Sequence, residues 1–141
     1  MSEVRETLPS VAIELSIPFH DIDPLAVAWH GHYAKYLELA RCALLESFDY
    51  SYEQMAQSGY AWPVIDLHVR YIQAIRFRQN VRVVATLEEW EYRMKIAYQI
   101  LDAASGARLA KASTVQVAVT MPGFEMQLAS PDILARKLGL K

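Results

Sequence analysis

One long apolar helical pattern limits the folds that are open to this chain of 141 residues. Between Gly31 and Phe48 the apolar residues recur with a helical period, and no proline or glycine follows Gly31. The apolar stripe consists of Tyr33, Tyr36, Leu37, Ala40, Ala43, Leu44 and Phe48. The pattern predicts a helix over residues 31–48 that is buried on much of its circumference.

The remaining chain is predicted to consist mainly of strands. One strand, at 11–19, precedes the helix, and four later segments alternate in polarity with a period of two: 65–71, 81–88, 96–101 and 114–121. Short helices are predicted at 52–57 and after Ser130. Short connections imply antiparallel pairing. We therefore expect a single α+β domain over residues 1–141, in which an antiparallel sheet of about five strands wraps around one long central helix.

One helix cannot cover both faces and both edges of such a sheet. Association with a second copy is therefore expected, as a homodimer or as a homotetramer. The aromatic segment Tyr60-Ala61-Trp62 follows the predicted short helix and would be costly to leave exposed. We expect Trp62 to form the far wall of a substrate pocket across that interface.

Composition and residue spacing argue against several classes of protein. The net charge of −2 does not favour a nucleic-acid partner. No stretch of about 18 apolar residues predicts a membrane span. Cys42 is the single cysteine, so no disulfide forms within the chain, and a cytoplasmic location is expected. The histidines and aspartates lack a tight zinc spacing, and no Gly-rich phosphate loop occurs, so neither metal nor cofactor is predicted.

The segment before the long helix carries the chemistry-bearing residues. Asp21, Asp23 and His30 lie within it, next to the expected helix start. Unpaired N–H groups at a helix start polarise a carbonyl oxygen, and a nearby carboxylate completes the minimum needed for attack on an acyl carbonyl. The alternative interpretation is structural: Asp23 terminates a turn, and the histidines cap the helix or face solvent. Asp21 is interpreted as a turn residue.

This segment resembles the signature of the 4-hydroxybenzoyl-CoA thioesterase family, which includes the Tol-Pal-associated acyl-CoA thioesterases. The matching residues are Asp21, Asp23, Trp29, His30, Tyr33, Glu38 and Arg41, and Val69-Arg70-Tyr71 and Glu89-Trp90 resemble later segments of the family. Two positions depart from the pattern, because Ala26 replaces a glycine and Ala74 replaces a proline. Because of Ala26, the sequence does not predict the shape of the loop or which acyl group is preferred.

The resemblance implies a hotdog fold and assigns roles to several residues. Asp23 would be the catalytic carboxylate, as nucleophile or as general base, and the N–H of His30 would polarise the thioester carbonyl. Arg93 and Lys95 would hold the phosphates of coenzyme A. Trp29 and Tyr33 are placed beside the acyl group, although Trp29 alternatively packs the turn.

The expected activity is hydrolysis of an acyl-CoA or an acyl-carrier-protein thioester to acid and thiol. Two other functions stay open from the sequence. One is a hotdog hydratase or dehydratase that acts on a hydroxyacyl thioester. The other is a non-catalytic module that binds acyl thioesters, against which a carboxylate beside an apolar pocket argues because its desolvation is costly.

Overall fold

The computed structural model describes residues 8–140. Its main feature is a five-stranded antiparallel sheet in the order β1-β4-β5-β6-β3, with a separate pair formed by β2 and β7. The strands are β1 (Ser10–Ser16), β2 (Tyr60–Ala61), β3 (Val64–Tyr71), β4 (Asn80–Glu89), β5 (Met94–Asp102), β6 (Arg108–Gln116) and β7 (Val119–Thr120). The helices are α1 (Tyr33–Ser47), α2 (Tyr52–Ser58) and α3 (Asp132–Lys137).

The core lies between α1 and one face of the sheet. The apolar stripe of α1 is buried, and α1 packs on β1 and β4. The alternating residues of β4 and β5 that face the helix are almost fully buried: Val81, Val83, Ala85, Leu87, Ile96, Tyr98 and Ile100. Each large apolar side chain buried in this way stabilises the fold by about 1.5–3 kcal/mol. The predicted antiparallel sheet of five strands around one long helix is confirmed.

Several predicted boundaries differ from the structure. The first strand, expected at 11–19, ends at Ser16, and Phe19 already lies in a 3-10 turn. The α-helix begins at Tyr33, because His30–His32 form a 3-10 turn. The predicted strand 114–121 is divided: β6 already starts at Arg108 and ends at Gln116, whereas Val119 and Thr120 pair with β2. Small residues such as Ala110 and Ala112 are buried in β6, and they give little hydropathy contrast from which a strand can be predicted.

The connection between β1 and α1 is held against the loop between β3 and β4. Ile22 and Ala28 form a bridge that closes a small hairpin, which we call the Asp23 hairpin (residues 22–28). Val27 forms a second bridge with Arg76, and the Ala28 N–H donates to the Ile75 carbonyl at 2.7 Å. The Asp23 hairpin is therefore fixed at the end of the sheet where β3 ends and β4 begins.

Candidate active site

Asp23 occupies the start of a tight turn within its hairpin. Its N–H donates to the Val27 carbonyl at 2.9 Å, and its carbonyl accepts the Ala26 N–H at 2.9 Å. The carboxylate oxygen Oδ1 accepts the Leu25 N–H at 2.9 Å. Within residues 8–140 no side chain or N–H group bonds to Oδ2, and the residue is half-buried. One carboxylate oxygen thus orients the group while the other stays available.

Ala26 adopts the left-handed conformation that the turn requires. Its φ is 65°, in the region where glycine is favoured and where a Cβ atom costs energy. The loop shape that the sequence left open is therefore reached with alanine, at the expense of backbone strain.

Asp23 opens onto a cleft of about 290 Å³. The walls come from the Asp23 hairpin, the start of the helical segment and the end of β3. The lining residues are Asp23, Leu25, Val27, Ala28, His30, Tyr33, Tyr71, Ile72, Gln73 and Ala74. Three of the predicted site residues, Asp23, His30 and Tyr33, are brought together here.

His30 begins the 3-10 turn that leads into α1. Its carbonyl oxygen accepts the Tyr71 hydroxyl at 3.0 Å, which ties the turn to β3. In the described part of the chain the His30 N–H donates to no backbone carbonyl. This leaves a donor that can approach an acyl oxygen, beside the positive end of the α1 dipole.

Trp29 lies over Gly31, and the two residues depend on each other. A Cβ atom on Gly31 would stand 2.2–2.7 Å from three atoms of the Trp29 ring, which is too close for any side chain. The indole is half-exposed and has its centroid 5.1 Å from the His30 ring and 5.4 Å from the His32 ring. The structure places Trp29 next to His30, although it is not among the residues that line the cleft.

Tyr33 and Tyr71 form the aromatic wall of the cleft. Their ring centroids are 4.7 Å apart, and Tyr33 is 3% exposed. Burial raises the pKa of the Tyr33 phenol to about 12, so it stays protonated at neutral pH. The sequence placed Tyr71 only in a strand, because nothing in its local pattern indicates that its hydroxyl reaches His30.

Asp21 ends a 3-10 turn over Phe19–Asp21, as expected of a turn residue, but its side chain has a further role that the sequence did not indicate. Asp21 is 1% exposed, and its carboxylate accepts the Lys35 ammonium at 2.7 and 2.9 Å and the Tyr36 hydroxyl at 2.8 Å. Burial alone would raise the pKa of this carboxyl, but the bonds from Lys35 and Tyr36 and the positive charge of Lys35 hold it below its ordinary value of 3.8. Asp21 therefore anchors the connection to the first turns of α1.

The Asp21 main chain also supports the site directly. Its carbonyl accepts the Trp29 N–H at 3.0 Å, one residue before His30. The Tyr36 phenol is buried and donates to Asp21, and both effects raise its pKa above the ordinary 10. Lys35 and Tyr36 lie on the first turn of α1, so the carboxylate and the carbonyl of Asp21 together fix the start of the helical segment relative to Asp23.

The other predicted contacts lie away from this cleft within one chain. Trp62 precedes β3, whereas the cleft lies at the end of β3, about 25 Å away for a strand of this length. Trp62 is buried, and its Nε1–H donates to the Tyr50 hydroxyl at 3.3 Å. Arg93 lies between β4 and β5 and Lys95 at the start of β5, at the same far end of the sheet, and Arg93 pairs with Glu89 at 3.0 Å. One chain alone does not bring these three residues to Asp23.

A polar network on α1 lies beside a more apolar cavity of about 430 Å³, which Trp62 also lines. Glu38 pairs with Arg41 on α1, and the Tyr52 hydroxyl donates to Glu38 while accepting Arg41 Nε at 3.1 Å. Arg41 and Val64 line both this cavity and a smaller one of about 130 Å³ between α1 and β3. These two cavities therefore adjoin beside α1 and the start of β3.

Two classes of site are not found in the described residues. No group of three or more His, Cys, Asp or Glu side chains within residues 8–140 is arranged to hold a metal ion. Among the helices that the structure describes, none is long and apolar enough to cross a membrane. The cytoplasmic location stays a prediction.

The architecture and this cleft define a class of protein, the hotdog-fold thioesterases. A family model described as the Thioesterase-like superfamily matches residues 17–136, and the chain belongs to this family. The predicted fold and the predicted class of enzyme, a hydrolase of acyl thioesters, are thereby confirmed.

Individual relatives agree with this assignment. YneP of Bacillus subtilis (strain 168), named as an acyl-CoA thioesterase, is 23% identical over 123 residues, which is 84% of this chain and 88% of YneP. The DHNA-CoA thioesterase of Staphylococcus aureus has a TM-score of 0.79 and 26% identity, covering 90% of this chain and 82% of its own. A 4-hydroxybenzoyl-CoA thioesterase, solved with 4-hydroxybenzoyl-CoA, has a TM-score of 0.79, 14% identity and coverage of 92% and 98%, and it shows the fold alone. The Tol-Pal-associated branch stays a prediction.

Proposed function

We propose that this protein hydrolyses acyl-CoA or acyl-carrier-protein thioesters, with Asp23 as the catalytic carboxylate. The observation that carries the proposal is the free oxygen of Asp23 in the same cleft as the unpaired N–H of His30. Such a pair suits acyl transfer, because one group attacks or activates water and the other stabilises the developing oxyanion.

Two routes are compatible with this pair. As a general base, Asp23 takes a proton from water, the hydroxide adds to the carbonyl carbon, and the C–S bond breaks with release of the thiolate. As a nucleophile, Asp23 adds to the carbonyl itself and expels the thiolate, and water then hydrolyses the mixed anhydride. A thioester has a good leaving group, so neither route needs a metal ion.

We further propose that the active unit is a homodimer joined through β3. In the described residues β3 pairs only with β6, so its other edge is open. Its exposed apolar residues are Val64, Ile65, Leu67 and Tyr71. Antiparallel pairing of two β3 strands about a two-fold axis would set the start of one strand beside the end of the other.

The same pairing explains the remote predicted residues. The partner subunit's start of β3 would approach the cleft of the first chain, and the partner's Trp62 would come with it. Arg93 and Lys95 lie at that end of the sheet too, so a phosphate-binding role for them requires the partner's copies. The dimer is therefore needed for Trp62, Arg93 and Lys95 to act at Asp23.

The experiment that tests the proposed chemistry is the substitution Asp23→Asn. It keeps the shape of the side chain but removes its charge and basicity, and we expect kcat to fall by about 10²-fold or more. Free-thiol release is measured across a panel of aliphatic and aromatic acyl-CoA and acyl-carrier-protein thioesters, with hydroxyacyl thioesters included to detect dehydration instead. Glu88→Gln, on an exposed position of β4, is the matched control. Activity of Asp23→Asn within a few-fold of wild type would overturn the assignment.

The role of His30 is decided by a second substitution. If its N–H is the functional group, His30→Ala retains much of the activity because the backbone donor remains. If the imidazole transfers a proton, the loss approaches that of Asp23→Asn, and one limb of the pH–rate profile disappears.

A further inference from the structure

The segment 67–87 contains no acidic residue, although the chain as a whole has a net charge of −2. It carries His68 and four arginines, namely Arg70, Arg76, Arg78 and Arg82. The segment covers the second half of β3, the loop 72–79 and most of β4, so it includes the loop that holds the Asp23 hairpin. This excess of positive charge lies next to the cleft.

Two of these arginines are directed elsewhere. Arg82 pairs with Glu14 on β1, at 3.1 Å. Arg70 lies within β3, opposite Lys111 of β6, and its main chain has no bridge to the Asp23 hairpin among the described residues. Arg76 and Arg78 lie in the loop 72–79, are exposed, and have no carboxylate within 4.0 Å among residues 8–140. The guanidinium of Arg78 lies 5.2 Å from the centroid of the Phe77 ring. Arg76 is the arginine whose main chain forms a bridge with Val27 of the Asp23 hairpin, and we therefore consider its guanidinium as an anion-binding group.

Arg76 lines a cavity of about 540 Å³ together with Gln73, Ala74 and Gln79. Gln73 and Ala74 also line the Asp23 cleft, so the two cavities adjoin. The main chain of Arg76 is fixed by its bridge to Val27 and by its N–H, which donates to the Gln79 side chain at 2.9 Å. A rigid backbone with a free guanidinium is well suited to bind an anion.

The acidic group in this neighbourhood is already satisfied. Asp102 accepts the Gln79 side chain at 2.9 Å and the N–H groups of Ala104 and Ser105 at 3.2 and 2.7 Å. The bond from Gln79, followed by those from Ser105, lowers the pKa of Asp102 to about 2. Its charge is directed into the turn between β5 and β6, so it does not neutralise Arg76 through an ion pair.

We propose that the cavity beside Arg76 receives the phosphopantetheine arm of the substrate and that Arg76 binds a phosphate group on this arm. The inference rests on the proposed function, since it places the leaving group of the thioester that Asp23 attacks. The amide side chain of Gln73 supplies a donor and an acceptor for an amide of the arm, while Gln79 holds the Arg76 main chain, and the guanidinium supplies the charge for the phosphate. A phosphate on pantetheine is common to coenzyme A and to acyl carrier proteins.

The test compares Arg76→Gln with wild type on one acyl group carried by different thiols. With acyl-CoA we expect KM to rise about tenfold and kcat to stay within twofold, because the lost contact lies outside the reacting centre. With the phosphate-free acyl-pantetheine KM should not change. Arg76→Lys should restore part of the affinity, and Arg82→Gln, from the same acid-free segment, is the matched control. A further substrate, the same acyl group on an acyl carrier protein, shows which phosphate Arg76 binds. An equal rise in KM with this substrate indicates the pantetheine phosphate, whereas a rise with acyl-CoA alone indicates the nucleotide phosphates of coenzyme A.

Measuring the binding of coenzyme A tests the phosphate contact independently of thioester hydrolysis. Calorimetric titration with coenzyme A and with pantetheine needs no turnover, and Arg76→Gln should weaken only the binding of coenzyme A. If wild type hydrolyses no thioester and this difference is still found, the proposed function fails while the phosphate contact stands. Equal changes with acyl-CoA and acyl-pantetheine, or no change with either, would overturn the phosphate contact.

Discussion

Two aspartates separated by a single residue have opposite environments in this protein. Asp23 is half-buried with one oxygen unpaired, whereas Asp21 is buried and bonded to Lys35 and Tyr36. Removal of charge from the first should affect chemistry, and removal from the second should affect stability. The resemblance points to Asp23, which lines the cleft, but it does not describe the anchoring role of Asp21.

At Asp21 we predict that Asp21→Asn lowers the free energy of unfolding by about 2 kcal/mol, the scale of a hydrogen bond to a charged group. Because the folded pKa of Asp21 lies below 3.8, its contribution is fully present above that value and is lost as the pH falls through the folded pKa. The difference in stability between wild type and variant should therefore be constant near neutral pH and shrink below about pH 4. Urea unfolding at several pH values measures it, with Glu88→Gln as control. A difference that persists unchanged at low pH would contradict the anchoring charge.

At the scale of elements, the Asp23 hairpin and the loop 72–79 act as a unit. Neither has a regular helix or strand of its own, and each is fixed by bridges to the other. The hairpin carries the proposed carboxylate, while the loop carries Arg76. The position of both groups therefore depends on how well the tight turn of the hairpin is formed.

For this turn we predict that Ala26→Gly stabilises the protein by about 0.5–1 kcal/mol, because glycine relieves the strain at a φ of 65°. Thermal denaturation should show a melting temperature higher by a few degrees. Ala104→Gly, at an exposed turn position without positive φ, should give no gain and serves as control. A lower melting temperature for Ala26→Gly would contradict the interpretation of strain.

At the scale of the whole molecule, the sheet ends in two different edges. β1 alternates between exposed and half-buried residues, whereas β3 is exposed along almost its whole length and carries large apolar side chains. An open edge with such residues favours pairing with another chain. The proposed site also needs that second chain for Trp62, Arg93 and Lys95.

We predict a homodimer as the minimum active unit, which sedimentation equilibrium at micromolar concentration should show. Ile65→Lys places a charge on the open edge at a side chain that is 55% exposed, so it should dissociate the dimer and abolish activity while the fold persists. Leu128→Lys, at a residue that is 91% exposed elsewhere, is the matched control and should remain dimeric. A fully active species of 16.0 kDa would rule out both the dimer and the shared site.

Local sequence patterns were sufficient to predict the helices and strands and those site residues that lie close together along the chain. The helical stripe of α1 and the alternation in β4 and β5 are local patterns, and each follows from which side chains must be buried. Asp23, His30 and Tyr33 lie within eleven consecutive residues, so the chain itself brings them to one end of α1.

Contacts between residues that are far apart in sequence could be identified only in the folded structure. The bond from Tyr71 to His30 joins residues 41 positions apart, and the bridge from Val27 to Arg76 sets two loops side by side. The burial of Asp21 likewise depends on its packing against α1, because an Asp in a turn-like segment is usually solvated. Hydropathy patterns report which face of an element is buried, whereas these contacts depend on the relative positions of whole elements, and those are set by the packing of the core.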